Sequence, residues 1–196
     1  MEQNRIEAFS DGVLAIIITI MVLELKVPHG EDFAALKPLL PVFLSYVLSF
    51  IYVGIYWNNH HHLLKACRKA TGRVMWANLH LLFWLSLLPF TTGWAGENHL
   101  APLPTACYGL VLLLAAIAYA ILQSCILRHH GRDSRLALAL GGDFKGKISP
   151  LAYLAAIFAS FYRPWIAACI YTGVALLWLV PDRRVERALL ADAEDA

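Results

Sequence analysis

Charge is what this chain has least of. Only 15% of its 196 residues are Asp, Glu, Lys or Arg, while 59% are apolar and the mean hydropathy is +0.59. An ordinary soluble domain carries about 25% charge, and a globule of this length exposes too much surface to cover it with so little. A soluble enzyme, a disordered chain and a coiled coil are therefore excluded as starting points. The 16 basic and 14 acidic residues leave a net charge of +2, too mild for a nucleic-acid surface, so no nucleic-acid partner is expected. Cysteine is scarce as well. Cys67, Cys107, Cys125 and Cys169 form no CxxC and no paired spacing, which excludes a disulfide framework. Three of them lie in apolar runs and read as small buried hydrophobes. The amino-terminal stretch is not expected to act as a signal peptide: Arg5 is its only basic residue, Asp11 precedes the apolar stretch, and no small-residue cleavage site follows Leu23.

What is present is a set of six apolar segments at 6–25, 39–57, 74–94, 105–127, 148–162 and 165–180. A bilayer core takes about 20 residues of helix, and segments this long and continuous are helices rather than barrel strands. The last two are short. Arg163-Pro164 between them favours a tight turn and a helical hairpin over one long span. With six spans and both termini cytoplasmic, the inner segments hold Arg5; Lys65, Arg68, Lys69 and Arg73; Arg128, Arg132, Arg135, Lys145 and Lys147; and Arg183, Arg184 and Arg187. Only Lys26, Lys37 and Arg163 fall outside, the asymmetry the positive-inside rule requires. Gly141-Gly142 marks a flexible point in an inner loop. Trp57, Trp76, Trp94 and Trp165 sit at span ends as an interfacial belt. The expected class is an all-α integral membrane protein, with a six-helix unit over 1–182 and a charged cytoplasmic tail over 183–196.

The first segment departs from a plain anchor. Asp11 needs a partner or water, because charge at membrane depth costs about 2.5–3.5 kcal/mol on insertion scales. It either starts the helix at the interface or faces a polar seam in the bundle. At about 100° per residue, Gly12, Ile16, Thr19, Ile20 and Leu23 share one stripe, with Asp11 about 140° from Ile16. Such a stripe, apolar with one hydroxyl, suits a packing seam or a pore lining.

The string Arg5-x-x-x-Phe9-Ser10-Asp11-Gly12-Val13 before an Ile-rich helix resembles the signature of the transmembrane protein 175 family, the lysosomal potassium channel and its bacterial relatives. Gly54-Ile55-Tyr56-Trp57-Asn58-Asn59-His60-His61, Asn78 and Leu87-Leu88-Pro89-Phe90 resemble the family pattern at comparable places. His62, which extends the histidine run, departs from it. The resemblance implies that the first helix lines a pore on a symmetry axis, with no TVGYG filter. It implies a hydrophobic constriction at Ile16, a polar ring at Thr19 and a wider apolar layer at Leu23. Arg5, Phe9, Ser10 and Asp11 are implied to form a polar and packing network that orients this helix. One copy of the motif implies a homotetramer, and the function implied is a passive, potassium-permeable conductance in a bacterial cell membrane. A ring of Ile gates by excluding water, and Thr hydroxyls replace part of an ion's hydration shell.

His60, His61, His62 and His80 raise metal or haem binding, but consecutive histidines point about 100° apart, so at most two could share an ion. Hydrogen bonds from His60 or His61 to Ser10 or Asp11 are expected instead, and no cofactor or metal is implied. No GxSxG, HExxH or phosphate loop is present, so an enzyme is not expected. The main alternative is a proton-coupled or other secondary transporter relaying protons through Asp11. It is disfavoured by the lack of visible internal repeats and broken helices. A structural scaffold is the third class.

Overall fold

The computed structural model describes residues 3–65, 67, 71–128 and 144–179. Arg68, Lys69, Arg132, Arg135, Gly141-Gly142, Arg183, Arg184, Arg187 and the expected tail over 183–196 lie outside the described residues. Every regular element described is helical: α1 Gln3–Leu23, α2 Phe33–Leu36, a 3₁₀ turn Lys37–Leu39, α3 Leu40–Lys65, α4 Gly72–Ser86, α5 Leu88–Glu97, α6 Pro102–Leu127, α7 Phe144–Tyr162 and α8 Pro164–Leu179. They make six helical spans, since α2 to α3 and α4 to α5 each run on as one crossing. Four stretches (Asn4–Leu23, Phe33–Lys65, Gly72–Glu97 and Pro102–Leu127) are long and apolar enough to cross a membrane alone. The first turn of α7 carries Lys145 and Lys147, and α8 has only 16 residues. At about 1.5 Å per residue α8 falls short of a 30 Å core. The expected hairpin is present: α7 ends at Tyr162, Pro164 opens α8, and the two pack side by side.

Proline and polar side chains set the breaks. Asp32 caps α2 by accepting from Ala35 N at 3.1 Å. The third crossing is not continuous, contrary to the sequence expectation of unbroken helices. Pro89 has no N–H to return to the preceding turn and its ring crowds that turn, so the helix stops at Ser86 and restarts at Leu88. The Thr91 hydroxyl donates to the Leu87 and Leu88 carbonyls at 3.2 and 3.3 Å, which satisfies polar groups that lipid cannot. Between α5 and α6, His99 and Leu100 adopt φ of 50° and 59°, and Leu100 N donates to Ala95 O at 2.8 Å. Two consecutive non-glycine residues in the left-handed region make this a strained corner.

The packing has a centre and a flank. α6 packs on α4 and α7, and its fully buried Leu112, Ala115, Ala118 and Leu122 let the neighbours approach closely. Gly109 marks the tightest point: an added Cβ would lie 1.9 Å from the Tyr171 hydroxyl, which donates to Thr105 O at 3.1 Å. Of the cysteines, Cys67 is the buried one, whereas Cys107 and Cys125 are half-buried and Cys169 is exposed. Being in an apolar run did not bury Cys169, because in lipid an apolar helix face can stay outside the bundle. α1 lies on the flank, packed against α3, α4 and α5.

Candidate functional site

α1 divides cleanly by face. Ile6, Ser10, Leu14, Ile17 and Met21 are buried, with Leu14 at 2%, Ile17 at 3% and Met21 at 1% exposure. Their spacing of three and four residues puts them on one face of the helix. The stripe expected from the sequence is open: Ile16 is 58% exposed, Leu23 79% and Ile20 43%, and Gly12 and Thr19 are exposed as well. Phe9, at 55%, and Arg5 are also exposed. Helical geometry places both within about 20° of Ile16. Arg5 and Phe9 thus stand at the head of the open stripe, while Ser10 lies on the anchored face.

Ser10, by contrast, is fully buried and terminates a hydrogen-bond chain across three helices. Its hydroxyl donates to Ile6 O at 2.8 Å, so its oxygen accepts from Asn78 Nδ2 at 2.9 Å. That orients the Asn78 amide. Its Oδ1 then faces His60 Nε2 at 2.7 Å, and His60 must donate from Nε2 to an acceptor-only oxygen. Every proton in the chain points from α3 through α4 to α1. The chain fixes a proton on Nε2, and His60 Nδ1 is left buried without a hydrogen-bond partner. The expected bond from His60 to Ser10 is thus indirect, with Asn78 as the link.

A second seam runs along the edge of α1. Trp57 Nε1 donates to Asp11 Oδ1 at 3.0 Å, and His61 Nδ1 meets Glu7 Oε1 at 2.6 Å. Glu7 and Asp11 are four residues apart, as are Trp57 and His61, and the order is reversed between the helices. Two i,i+4 pairs meeting in reversed order are what antiparallel neighbours give. The Trp57 and His61 rings stack at 6.3 Å between centroids, which holds the α3 side of the seam. Asp11 is therefore on a polar seam and has a donor.

Glu7 was missed by sequence reasoning, and Trp57 was read as a belt residue and as part of the resemblance, with no partner assigned to it. The signal was available in the matching four-residue spacing on the two helices. His80 accepts from Trp84 Nε1 at 2.9 Å, on its own helix. The ring of His62 lies 5.7 Å from that of His61. Among the described residues no three His, Cys, Asp or Glu side chains gather as a metal ion would need. Thr19 Oγ1 donates to Ile16 O at 2.8 Å, so its oxygen lone pairs remain for the open side.

A bundle with apolar flanks, six helical spans and a first helix anchored by one face and bare on the other defines a multi-pass membrane protein. The family model for the endosomal/lysosomal potassium channel TMEM175 matches residues 5–89. A potassium channel of Chryseobacterium sp. (strain P1-3) is 57% identical over 189 residues, covering 96% of this chain and 98% of that protein. The crystal structure of a lysosomal potassium-selective channel TMEM175 homolog from Chamaesiphon minutus superposes with a TM-score of 0.80 at 28% identity, covering 92% of this chain and 98% of that one. The mouse endosomal/lysosomal proton channel TMEM175 is 31% identical over 73% of this chain, a match spanning 32% of the mouse protein. This chain belongs to the TMEM175 family.

Proposed function

We propose that this protein is a potassium-permeable cation channel, assembled as a homotetramer with α1 of each chain lining the axis. The observation that carries the reading is the open stripe. A helix that is fixed to its own bundle through Ser10, Leu14, Ile17 and Met21 turns Ile16, Thr19 and Leu23 outward. Lipid alone does not call for a threonine in line with the isoleucine constriction. Four copies of Ile16 around an axis form a ring that no cation can coordinate, and it gates by dewetting. Four Thr19 hydroxyls, each with its proton turned back to Ile16 O, present a ring of oxygen lone pairs to a partly dehydrated ion. Potassium sheds water more readily than sodium, so the ring favours it, less strictly than a carbonyl filter. Ser10, Asp11, His60 and His61, with Asn78, Glu7 and Trp57, hold the angle of α1 and hence the width of the ring. Both termini lie on the cytoplasmic side, the side to which the basic residues segregate.

Potassium-loaded liposomes containing the purified protein test this. Passive flux with no counter-substrate is expected, raised in Ile16→Asn and altered in potassium-to-sodium ratio in Thr19→Ala. No flux at any voltage, or flux that requires an opposing proton gradient, overturns the channel and supports a coupled transporter. A detergent-solubilised mass of one or three chains overturns the tetramer.

A further inference from the structure

The polar tethers of α1 are gathered near its amino-terminal end. Glu7, Ser10 and Asp11 bond to His61, Asn78 and Trp57 of α3 and α4. Beyond Asp11, no side chain of α1 bonds to another helix among the described residues, since Thr19 bonds within its own. Leu14, Ile17 and Met21 hold the rest of α1 by apolar contact alone. Phe9 stands among the tethers, next to fully buried Ser10, yet it is 55% exposed. Helical geometry puts it about 20° from Ile16 and about 10.5 Å closer to the amino terminus. Hydrogen bonds are directional and apolar contact is not, so the rotation of α1 is fixed most strictly at the level of Phe9.

Gly12 stands between Phe9 and Ile16, about 40° from Ile16 around the helix. A side chain there would meet nothing, because no atom lies within 4 Å of where its Cβ would stand. Glycine inside a helix is less stable than alanine, and packing within this chain gives no reason for it at this position. The missing side chain matters on the open side. With α1 of four chains around an axis, Phe9 and Ile16 make two apolar rings, and Gly12 leaves a wider gap between them. An apolar ring opposes a cation by excluding its water. A gap between two such rings lets the ion keep its water on the way.

We propose that Phe9 forms a second apolar ring of fixed width on the amino-terminal side of Ile16, and that the Gly12 level between them is a chamber for a hydrated cation. The proposal rests on α1 lining the axis of a channel. Single-channel recording of the full chain in planar bilayers tests it. Phe9→Ala is expected to raise the unitary conductance about twofold and Phe9→Trp to lower it. Both leave the fraction of time open unchanged, because the tethers at Glu7, Ser10 and Asp11 stay in place. Gly12→Leu, which fills the chamber, lowers the conductance to less than about half with the assembly mass kept. In Phe9→Cys, a positively charged methanethiosulfonate added on the amino-terminal side blocks more of the current than in the unmodified protein, whose own four cysteines are the control. The same unitary conductance in Phe9→Ala, Phe9→Trp and the unmodified protein overturns the ring, as does a Phe9→Cys current no more sensitive than the control. An unchanged conductance in Gly12→Leu overturns the chamber. A changed assembly mass with unchanged conductance assigns Phe9 to packing between chains and overturns the ring as well. No current from the unmodified protein overturns the channel and the ring with it, whereas current that responds to Ile16→Asn and to no Phe9 substitution overturns the ring alone.

Discussion

The two faces of α1 are made from almost the same residue types and do opposite things. Leu14, Ile17 and Met21 are sealed against α3, α4 and α5, while Ile16, Ile20 and Leu23, one or two residues away, are bare. Hydrophobicity cannot separate the two sets, because in lipid an apolar side chain gains little by moving from acyl chains to protein. Packing and hydrogen bonds to neighbouring helices decide instead, and among the described residues these sit on the anchored side. The lesson is that the anchored face sets stability and the bare face is free to carry function.

Mutations can break that comparison, and the largest effect is expected on the anchored side. Met21→Ala leaves a cavity between α1 and its neighbours and destabilises the fold by about 2–5 kcal/mol, read by unfolding in detergent. Ile16→Ala on the bare side shifts the same midpoint by less than about 0.5 kcal/mol. A similar loss at both positions would erase the distinction. Asn78→Ala comes next. It strands the His60 Nε2–H and costs about 1–3 kcal/mol, with the open-channel current changing because α1 loses its orientation. If only stability falls and the current is untouched, the chain through Ser10 is mere packing.

Glu7→Gln is milder. It exchanges a charged partner of His61 for a neutral one at a half-buried site, and about 0–1 kcal/mol is expected. The smallest effect belongs to the ion pair of Lys26 with Glu97, both of which are exposed. The hydrogen bond and charge of Glu97 hold the Lys26 ammonium above its ordinary pKa of 10.5. A raised lysine contributes its stability below the unfolded pKa and loses it as pH rises through the folded value. Glu97→Gln should therefore lower stability by the same small amount throughout pH 5–8, with the difference from the unmodified protein fading only at alkaline pH, and should lower the Lys26 titration seen by NMR. A loss confined to alkaline pH would contradict this.

Much of the site was legible one residue at a time. Asp11 in an otherwise apolar segment announced a seam, and the stripe through Ile16, Thr19 and Leu23 followed from helical periodicity. What could not be read was where each helix meets its neighbour. Arg5 and Phe9 stand in the same motif as Ser10 and Asp11, yet helical rotation sends them to the open stripe. The second helix was expected to end near Trp57 but continues to Lys65. Its polar run 58–62 stays helical because His60 and His61 find Asn78 and Glu7 across helices. The break at Leu87 was present in Pro89 but went unread, since proline in a membrane helix produces either a kink or a full stop.

The sequence by itself determined the class of protein and the number of its spans. Scarce charge, segment length, proline position and the distribution of basic residues act locally or on the chain as a whole, so they need no partner. Only the tertiary structure decided which face of α1 is held and which is bare, and that Asn78 joins His60 to Ser10. Each of these depends on the register between helices distant in sequence, and register is set by side-chain packing and directional hydrogen bonds that exist only once the helices have met.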